Sequence, residues 1–123
     1  MGWNLATAWE RVADEVPDAD ALICGDTVRS WREFEDRAAR FAAALDRLGL
    51  GHRSMVGLAL YNGNEYLETE FACFKQRCSP FNINYRYTAE ELLALLLDAD
   101  AEVVVFSPEL AERLGEIRDE VPT

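Results

Sequence analysis

The stretch MVGLALYNGNEYLETEFACFKQRCSPFNINYRYTAEELLALLLDADAEVVVF, Met55 to Phe106, decides the fold. It contains three short apolar runs, MVGLAL, CSPFNI and EVVVF, separated by two segments whose apolar residues recur at helical spacing. A continuous apolar run is typical of a strand that is buried on both faces. Because strand and helix alternate with short loops, we predict an α/β fold, a partial parallel sheet with helices on both faces.

The preceding residues predict a helix, a hairpin and a second helix. Residues 21–31 read as a short hairpin that turns at Gly25-Asp26, a pair that fits a type II′ turn. Ser30 and Glu33 have the spacing of a capping box that opens the second helix. The first helix, Leu5 to Glu15, should pack through the apolar residues Leu5, Ala8, Trp9, Val12 and Val16.

Composition excludes two classes of function. The chain has 23 acidic and 12 basic residues, a net charge of −11, and no basic stripe with which to replace phosphate counterions. We therefore expect no binding to nucleic acid. No apolar run approaches the roughly 20 residues that cross a bilayer, so we expect no transmembrane segment.

Neither the cysteines nor any catalytic motif in the sequence indicates a metal site or an active site. Cys24, Cys73 and Cys78 form no C-x-x-C pair, and His52 is the one histidine, so no zinc set is expected. Reduced thiols in a core fit a cytoplasmic protein. The sequence contains no Gly-rich phosphate loop and no G-x-S-x-G, so no catalytic, cofactor or metal residue is assigned. Three acids of one helix, Glu65, Glu68 and Glu70, are expected to be solvated.

Polar residues follow the first two strands of the predicted parallel sheet. In open α/β sheets, ligands bind in the crevice outside the carboxyl ends of the strands. The candidate cleft-rim residues are therefore Tyr61, Asn62, Asn84, Tyr85 and Arg86. A structural interpretation stays open beside this one: Asn62 and Asn64 cap the following helix, and the tyrosines and Arg86 anchor a strand-to-helix junction.

Two segments resemble a known family. VRSWREFEDRAARFAAALDRLGLG (Val28 to Gly51) and the stretch from Met55 to Phe106 resemble the opening part of adenylate-forming (AMP-binding) enzymes. Tyr61-Asn62-Gly63, Phe74-Lys75 and Asn82 to Tyr87 are most similar to bacterial fatty-acyl-CoA synthetases. The resemblance runs from about Asn4 to the end. One departure is Lys75-Gln76-Arg77, where the family has Lys-Ala-Gly and so a helix-ending glycine.

The resemblance implies a two-step ligase reaction. A fatty or other carboxylic acid attacks ATP with Mg²⁺ to give an acyl-adenylate, and the thiol of coenzyme A then displaces AMP. It also implies that residues 1–123 are a truncated N-terminal subdomain of the large domain, with a helix and hairpin in 1–31 and alternating α/β units in 32–123. A homodimer stays open, and the acid specificity is not readable.

The motifs that carry the family's chemistry are absent from these 123 residues. They are its Ser/Thr/Gly-rich phosphate loop, its aromatic-Gly-x-Thr-Glu segment, its ribose-binding Asp and its C-terminal Lys. We therefore expect this chain alone to be inactive and to bind neither ATP, Mg²⁺ nor coenzyme A. The competing hypothesis is a non-catalytic α/β module that binds a protein partner or a small ligand.

Overall fold

The structure is a computed structural model that describes residues 3–123. Five helices, α1 to α5, span Leu5–Glu15, Trp31–Arg47, Asn64–Gln76, Ala89–Asp98 and Ala111–Gly115. Five strands, β1 to β5, span Asp20–Cys24, Thr27–Ser30, Met55–Ala59, Ser79–Asn82 and Ala101–Phe106. Two 3₁₀ turns, Pro108–Leu110 and Arg118–Glu120, flank α5. No helix within residues 3–123 has the length and apolar character needed to cross a membrane.

The predicted parallel sheet is confirmed. Its strand order is β4-β3-β5, and both pairings are parallel, with Leu58 of β3 opposite Asn82 on one side and Val105 on the other. Helices α2 and α3 cover one face, and α4 and the C-terminal helices cover the other. The central strand β3 is therefore buried on both faces, as its unbroken apolar run predicts.

The β4 edge of the sheet carries a proline at a position where it removes no hydrogen bond between strands. Ser79 and Ile83 donate their N–H groups to the carbonyls of Ser54 and Leu58 on the β3 side, at 2.7 and 3.0 Å. Because backbone groups alternate along a strand, the nitrogen of Pro80 points away from β3, and no hydrogen bond of the ladder is lost. Pro80 thus marks an edge strand.

The β5 edge is different. Ser107 donates its N–H to the carbonyl of Ala59 at 3.0 Å, so alternation directs the amides of Val104 and Phe106 away from β3. Within the described residues no strand pairs with this side of β5. A hollow of about 400 Å³ beside it is lined largely by apolar side chains, among them Leu96, Val104, Phe106, Leu114, Ile117 and Val121.

An aromatic cluster joins α1 and the hairpin to α2 and α3. Phe71 is fully buried, with its ring centroid 4.8 Å from that of Phe34 and 5.2 Å from that of Trp9. Lys75 lies 4.6 Å above the ring of Phe71. Its ammonium group binds Glu10 at 3.1 Å and Glu35 at 2.5 Å, so one cation ties the three helices together.

The buried face predicted for α1 is wrong, apart from Trp9. The residues of α1 that are buried are Ala6 and Ala13, while Leu5, Ala8, Val12 and Val16 are exposed. Helix α1 packs across both α2 and α3, and the indole of Trp9 fills the space between them. Small alanines allow this close approach, which a periodicity of large side chains does not predict.

The local turn and cap predictions hold at the hairpin. Gly25 has a φ of 58°, and Asp26 is not among the residues with positive φ, so the turn fits type II′ and not type I′. The hydroxyl of Ser30 accepts the N–H of Glu33 at 3.2 Å, and the Glu33 carboxylate accepts the N–H of Ser30 at 3.0 Å. The hydrogen bond from the Ser30 backbone N–H, followed by that from the Ser30 side chain, lowers the pKa of Glu33.

Helix α3 ends on a residue with left-handed backbone. Arg77 has φ 63° and ψ 24°, the conformation that glycine adopts most cheaply at a helix end. The N–H of Cys78 donates to the carbonyl of Cys73 at 2.8 Å and closes the turn. The turn therefore forms without the glycine, and an arginine carries the strained conformation.

Candidate binding cleft

A cleft of about 400 Å³ opens at the carboxyl ends of β3 and β4. Four of the five predicted rim residues lie in or beside it. Asn62, Asn84 and Tyr85 line the cleft, and Tyr61 packs on Tyr85 with ring centroids 4.8 Å apart. The full lining is Leu60, Asn62, Tyr66, Asn82, Ile83, Asn84 and Tyr85.

The loop after β3 is held by the loop after β5. The backbone N–H of Tyr61 donates to the hydroxyl of Ser107 at 3.2 Å, which joins the ends of two neighbouring strands. Both Tyr61 and Tyr85 keep part of their rings exposed, 42% and 38%. The two aromatic faces are thus fixed in position and still accessible from solvent.

The loop after β4 is a turn that is held by several hydrogen bonds. The side-chain oxygen of Asn84 accepts the N–H of Arg86 at 2.9 Å, and its carbonyl accepts the N–H of Tyr87 at 3.0 Å. Arg113 of α5 donates to the carbonyls of Tyr85 and Tyr87 at 2.6 and 3.0 Å. These contacts support the anchoring interpretation for the backbone of this loop.

Arg86 is not part of the cleft lining. Its guanidinium lies 5.5 Å from the ring centroid of Tyr85, so Tyr85 carries a cation as well as the ring of Tyr61. A cation over an aromatic face contributes about 0.5–1 kcal/mol at an exposed site. Arg86 therefore orders the rim residue Tyr85 and does not itself face the cavity.

The interpretation of Asn62 and Asn64 as caps of helix α3 is wrong. Gly63 occupies the N-cap position, and no side chain caps the helix there. Asn64 is the first helical residue and is buried, while Asn62 is exposed and lines the cleft. The amide of Asn62 is thus directed to the cleft and not to the end of the helix.

Sequence reasoning missed two polar lining residues, Tyr66 and Asn82, and the apolar Leu60 and Ile83. The Tyr66 hydroxyl donates to the side-chain oxygen of Asn82 at 2.8 Å and bridges α3 to the end of β4. Burial, with a smaller contribution from the Glu70 carboxylate, raises the pKa of Tyr66, which keeps the donor protonated. The strand-end position of Asn82 was a usable signal, whereas Tyr66 lies one helical turn away from the loop.

The cleft has the chemistry of a binding surface. Its polar lining consists of neutral amides and phenols, and neither a carboxylate nor a lysine lines it. Residues 3–123 contain no group of three His, Cys, Asp or Glu side chains placed to hold a metal. This donor set does not fit Mg²⁺ or a triphosphate.

The thiols offer no nucleophile near the cleft. Burial, then the nearby Cys78 and Glu70, raises the pKa of Cys73 to about 12, and burial also raises the pKa of Cys78. Both are therefore protonated thiols inside the core at neutral pH. Cys24 is exposed, which corrects the expectation that all three thiols are buried.

The solvated acidic face predicted on α3 is wrong at Glu68. Glu68 is 6% exposed, and its carboxylate accepts a hydrogen bond from Nε of Arg37 on α2. Glu70 is partly buried, and burial raises its pKa. Of the three acids, Glu65 alone is exposed, as predicted.

Comparison with known proteins identifies relatives of this chain. The chain is 36% identical to the medium-chain acyl-CoA ligase Mig of Mycobacterium avium, over 90% of its own length and 22% of the relative's. It is 32% identical to a medium/long-chain-fatty-acid–CoA/3-oxocholest-4-en-26-oate–CoA ligase of Mycobacterium marinum, over 97% of the chain and 22% of that protein. The chain thus spans about a fifth of the length of these relatives.

A solved structure shares the fold. The fatty acyl CoA synthetase of Mycobacterium tuberculosis superposes with a TM-score of 0.88 at 24% identity, over 94% of this chain and 23% of that protein. The family model described as AMP-binding enzyme matches residues 9–123, far more than half of the chain. The chain belongs to the AMP-binding enzyme family.

Proposed function

We propose that residues 1–123 form the N-terminal segment of the large domain of an ATP-dependent acyl-CoA synthetase. In the reaction a carboxylate attacks the α-phosphorus of ATP to form an acyl-adenylate and release pyrophosphate, and the thiol of coenzyme A then takes the acyl group and releases AMP. The family match and the 36% identity to a medium-chain acyl-CoA ligase support this proposal.

The observation that carries the proposal is the β5 edge. Its outward amides have no strand partner among the described residues, and the hollow beside it is largely apolar. An unpaired edge next to exposed apolar surface is a site where another strand adds readily. A sheet that continues beyond β5 pairs these amides and covers the hollow, as a larger domain requires.

The role of this segment is structural support for a site that other segments complete. The cleft does not fit Mg²⁺ or a triphosphate, and no motif of the family's chemistry occurs in the chain. ATP, Mg²⁺ and coenzyme A are then bound by other parts of the longer enzyme. The chain alone is inactive under this proposal.

The acid substrate is proposed from the relatives. The Mycobacterium avium protein is named for medium-chain acids, and the Mycobacterium marinum protein for medium- and long-chain fatty acids and a sterol-derived acid. We therefore propose a carboxylic acid with an extended apolar body. A cytoplasmic location belongs to the same proposal.

A chimera tests the function. Residues 1–123 replace the matching N-terminal segment of the Mycobacterium avium ligase, and formation of acyl-CoA from a medium-chain fatty acid, ATP and coenzyme A is measured. The proposal expects acyl-dependent turnover by the chimera and none by the chain alone. A single cooperative melt of the chimera establishes that it folds.

Two results contradict the proposal. One is a folded chimera without turnover. The other is sustained acyl-dependent pyrophosphate release by the chain alone. A chain that melts cooperatively as a monomer and gains nothing from the ligase remainder favours the competing interpretation, a binding module that folds by itself.

A further inference from the structure

A cavity separate from both the cleft and the hollow beside β5 lies between α2, α3 and β5. We call it the Glu68 groove; it has a volume of about 360 Å³. Three elements line it: α2 through Arg37, Arg40 and Phe41, α3 through Glu65, Glu68 and Thr69, and β5 through Val105. Its floor is thus apolar, and its walls carry charged side chains.

One buried oxygen in the groove lacks a partner. Glu68 is 6% exposed, and Arg37 donates to its Oε2. Within residues 3–123, no hydrogen bond reaches Oε1 of Glu68. Burying a carboxylate oxygen without a donor is costly, because the water it lost is not replaced. An added donor would therefore be favoured at this oxygen once the side chains that cover it move aside.

The neighbouring groups do not supply that donor. The hydroxyl of Thr69 donates to the carbonyl of Glu65 at 2.7 Å. Arg40 binds Asp36 of its own helix at 2.7 Å. A metal ion is a poor candidate, since the described residues contain no group of three metal-ligating side chains.

The missing donor is best matched by an arginine side chain. The two arginines of the lining are each paired with an acid, Arg37 with Glu68 and Arg40 with Asp36. The exposed Glu65, which has no ion pair within residues 3–123, therefore leaves the groove with negative charge. Phe41 and Val105 offer apolar surface to an aliphatic stem. A planar guanidinium can donate to Oε1 and stack on an aromatic face at the same time. A second copy of this chain is disfavoured as the occupant, because each copy carries a net charge of −11.

We propose that the Glu68 groove docks an arginine carried by the remainder of the longer ligase polypeptide, which packs beside β5. This inference rests on the proposed function. Two observations support this source. Val105 belongs both to the groove and to the strand whose outer edge is open, and the chain spans about a fifth of its relatives' length.

Titration with a blocked arginine tests the groove itself. Nα-acetyl-arginine amide is added to the chain in the millimolar range, and amide shifts are followed by NMR, with the uncharged analogue Nα-acetyl-citrulline amide as control. We expect saturable shifts at Glu68, Thr69 and Val105 with arginine only. Glu68→Gln weakens binding about ten-fold, because it removes the charge from the acceptor.

A matched variant distinguishes binding of arginine at the Glu68 groove from nonspecific attraction of arginine to the negatively charged chain. Glu90→Gln makes the same chemical change at an exposed position of α4 and should leave the binding of arginine unchanged. Equal loss in both variants, shifts that never saturate, or equal binding of the citrulline analogue would overturn the proposal. The citrulline comparison needs no variant, so it stays decisive if Glu68→Gln does not fold.

The chimera identifies the source of the arginine. With the ligase remainder present, the groove is filled and the blocked arginine no longer binds. Undiminished binding to the folded chimera overturns this source. Because this readout is a binding shift and not turnover, an inactive chimera that still blocks the groove contradicts the proposed function alone.

Discussion

The two edges of the sheet differ, although both flank the same central strand. At β4, Pro80 occupies an outward position where it costs no hydrogen bond and where it obstructs pairing with a further strand. At β5, the outward positions belong to Val104 and Phe106, and Phe106 is 44% exposed. The β4 edge is therefore protected from pairing with a further strand by its own proline. The β5 edge is protected only when another segment covers it.

Two adjacent valines give the largest expected effect. Val105→Pro removes an amide on the β3 side of β5, leaves a carbonyl of β3 without its donor, and should lower the free energy of unfolding by about 3 kcal/mol, the upper end of the cost of an unpaired buried acceptor. Val104→Pro removes an amide that points away from β3 and should cost markedly less. Both sites carry a half-buried valine, so the two variants differ in the direction of the backbone amide that is lost. Urea denaturation of the two variants therefore checks that amide directions alternate along β5.

The same two variants test whether the outer edge of β5 is free to pair with another strand. Val104→Pro should reduce self-association of the chain at high concentration, because it gives β5 the kind of obstruction that Pro80 gives β4. Equal destabilisation by the two prolines would contradict the assigned hydrogen-bond direction and the comparison built on it.

A smaller effect is expected at the seam between β3 and β4. A Cβ added at Gly57 would lie 2.7 Å from Cδ1 of Ile83 and 2.9 Å from Cζ of Phe81. Gly57→Ala should therefore destabilise the chain by about 1–3 kcal/mol through overpacking. Gly51→Ala is the control, since no atom lies within 4 Å of its added Cβ; an equal loss there would mean that the β4 seam is not tightly packed.

The smallest effect is a gain in stability at the turn that leads into β4. Arg77→Gly should raise the free energy of unfolding by about 0.5–1 kcal/mol, because glycine tolerates the left-handed backbone at φ 63°. Arg77→Ala keeps the steric penalty and should give no such gain. A midpoint of denaturation that is unchanged or lowered in Arg77→Gly would show that the arginine side chain makes contacts that outweigh the strain.

The fold was predictable because its signals are local. Three unbroken apolar runs and the Ser30–Glu33 capping box specify where strands and helices begin, and a helix between successive strands then lets them run parallel. The packing of α1 was not predictable, because Ala6 and Ala13 are buried by neighbours distant in sequence. Periodicity identifies a helix, but tertiary contacts decide which of its faces is buried.

The candidate cleft was predictable only in part, for a related reason. Topology places strand ends at one rim, so Asn62, Asn84 and Tyr85 could be found from the sequence. Outside the cleft, the burial of Glu68 could not be predicted, because it depends on Arg37, which lies 31 positions earlier in the chain. An ion pair between two helices cannot be predicted when the face of each helix is considered separately.

Amide hydrogen exchange along β5 tests the central claim, that the sheet continues beyond this strand, most directly. In the chain alone, Val104 and Phe106 should exchange much faster than Val105 and Ser107, whose amides face β3. In the chimera with the ligase remainder, Val104 and Phe106 should become as protected as their neighbours. Rates at Val104 and Phe106 that do not change between the chain and the folded chimera would contradict the claim.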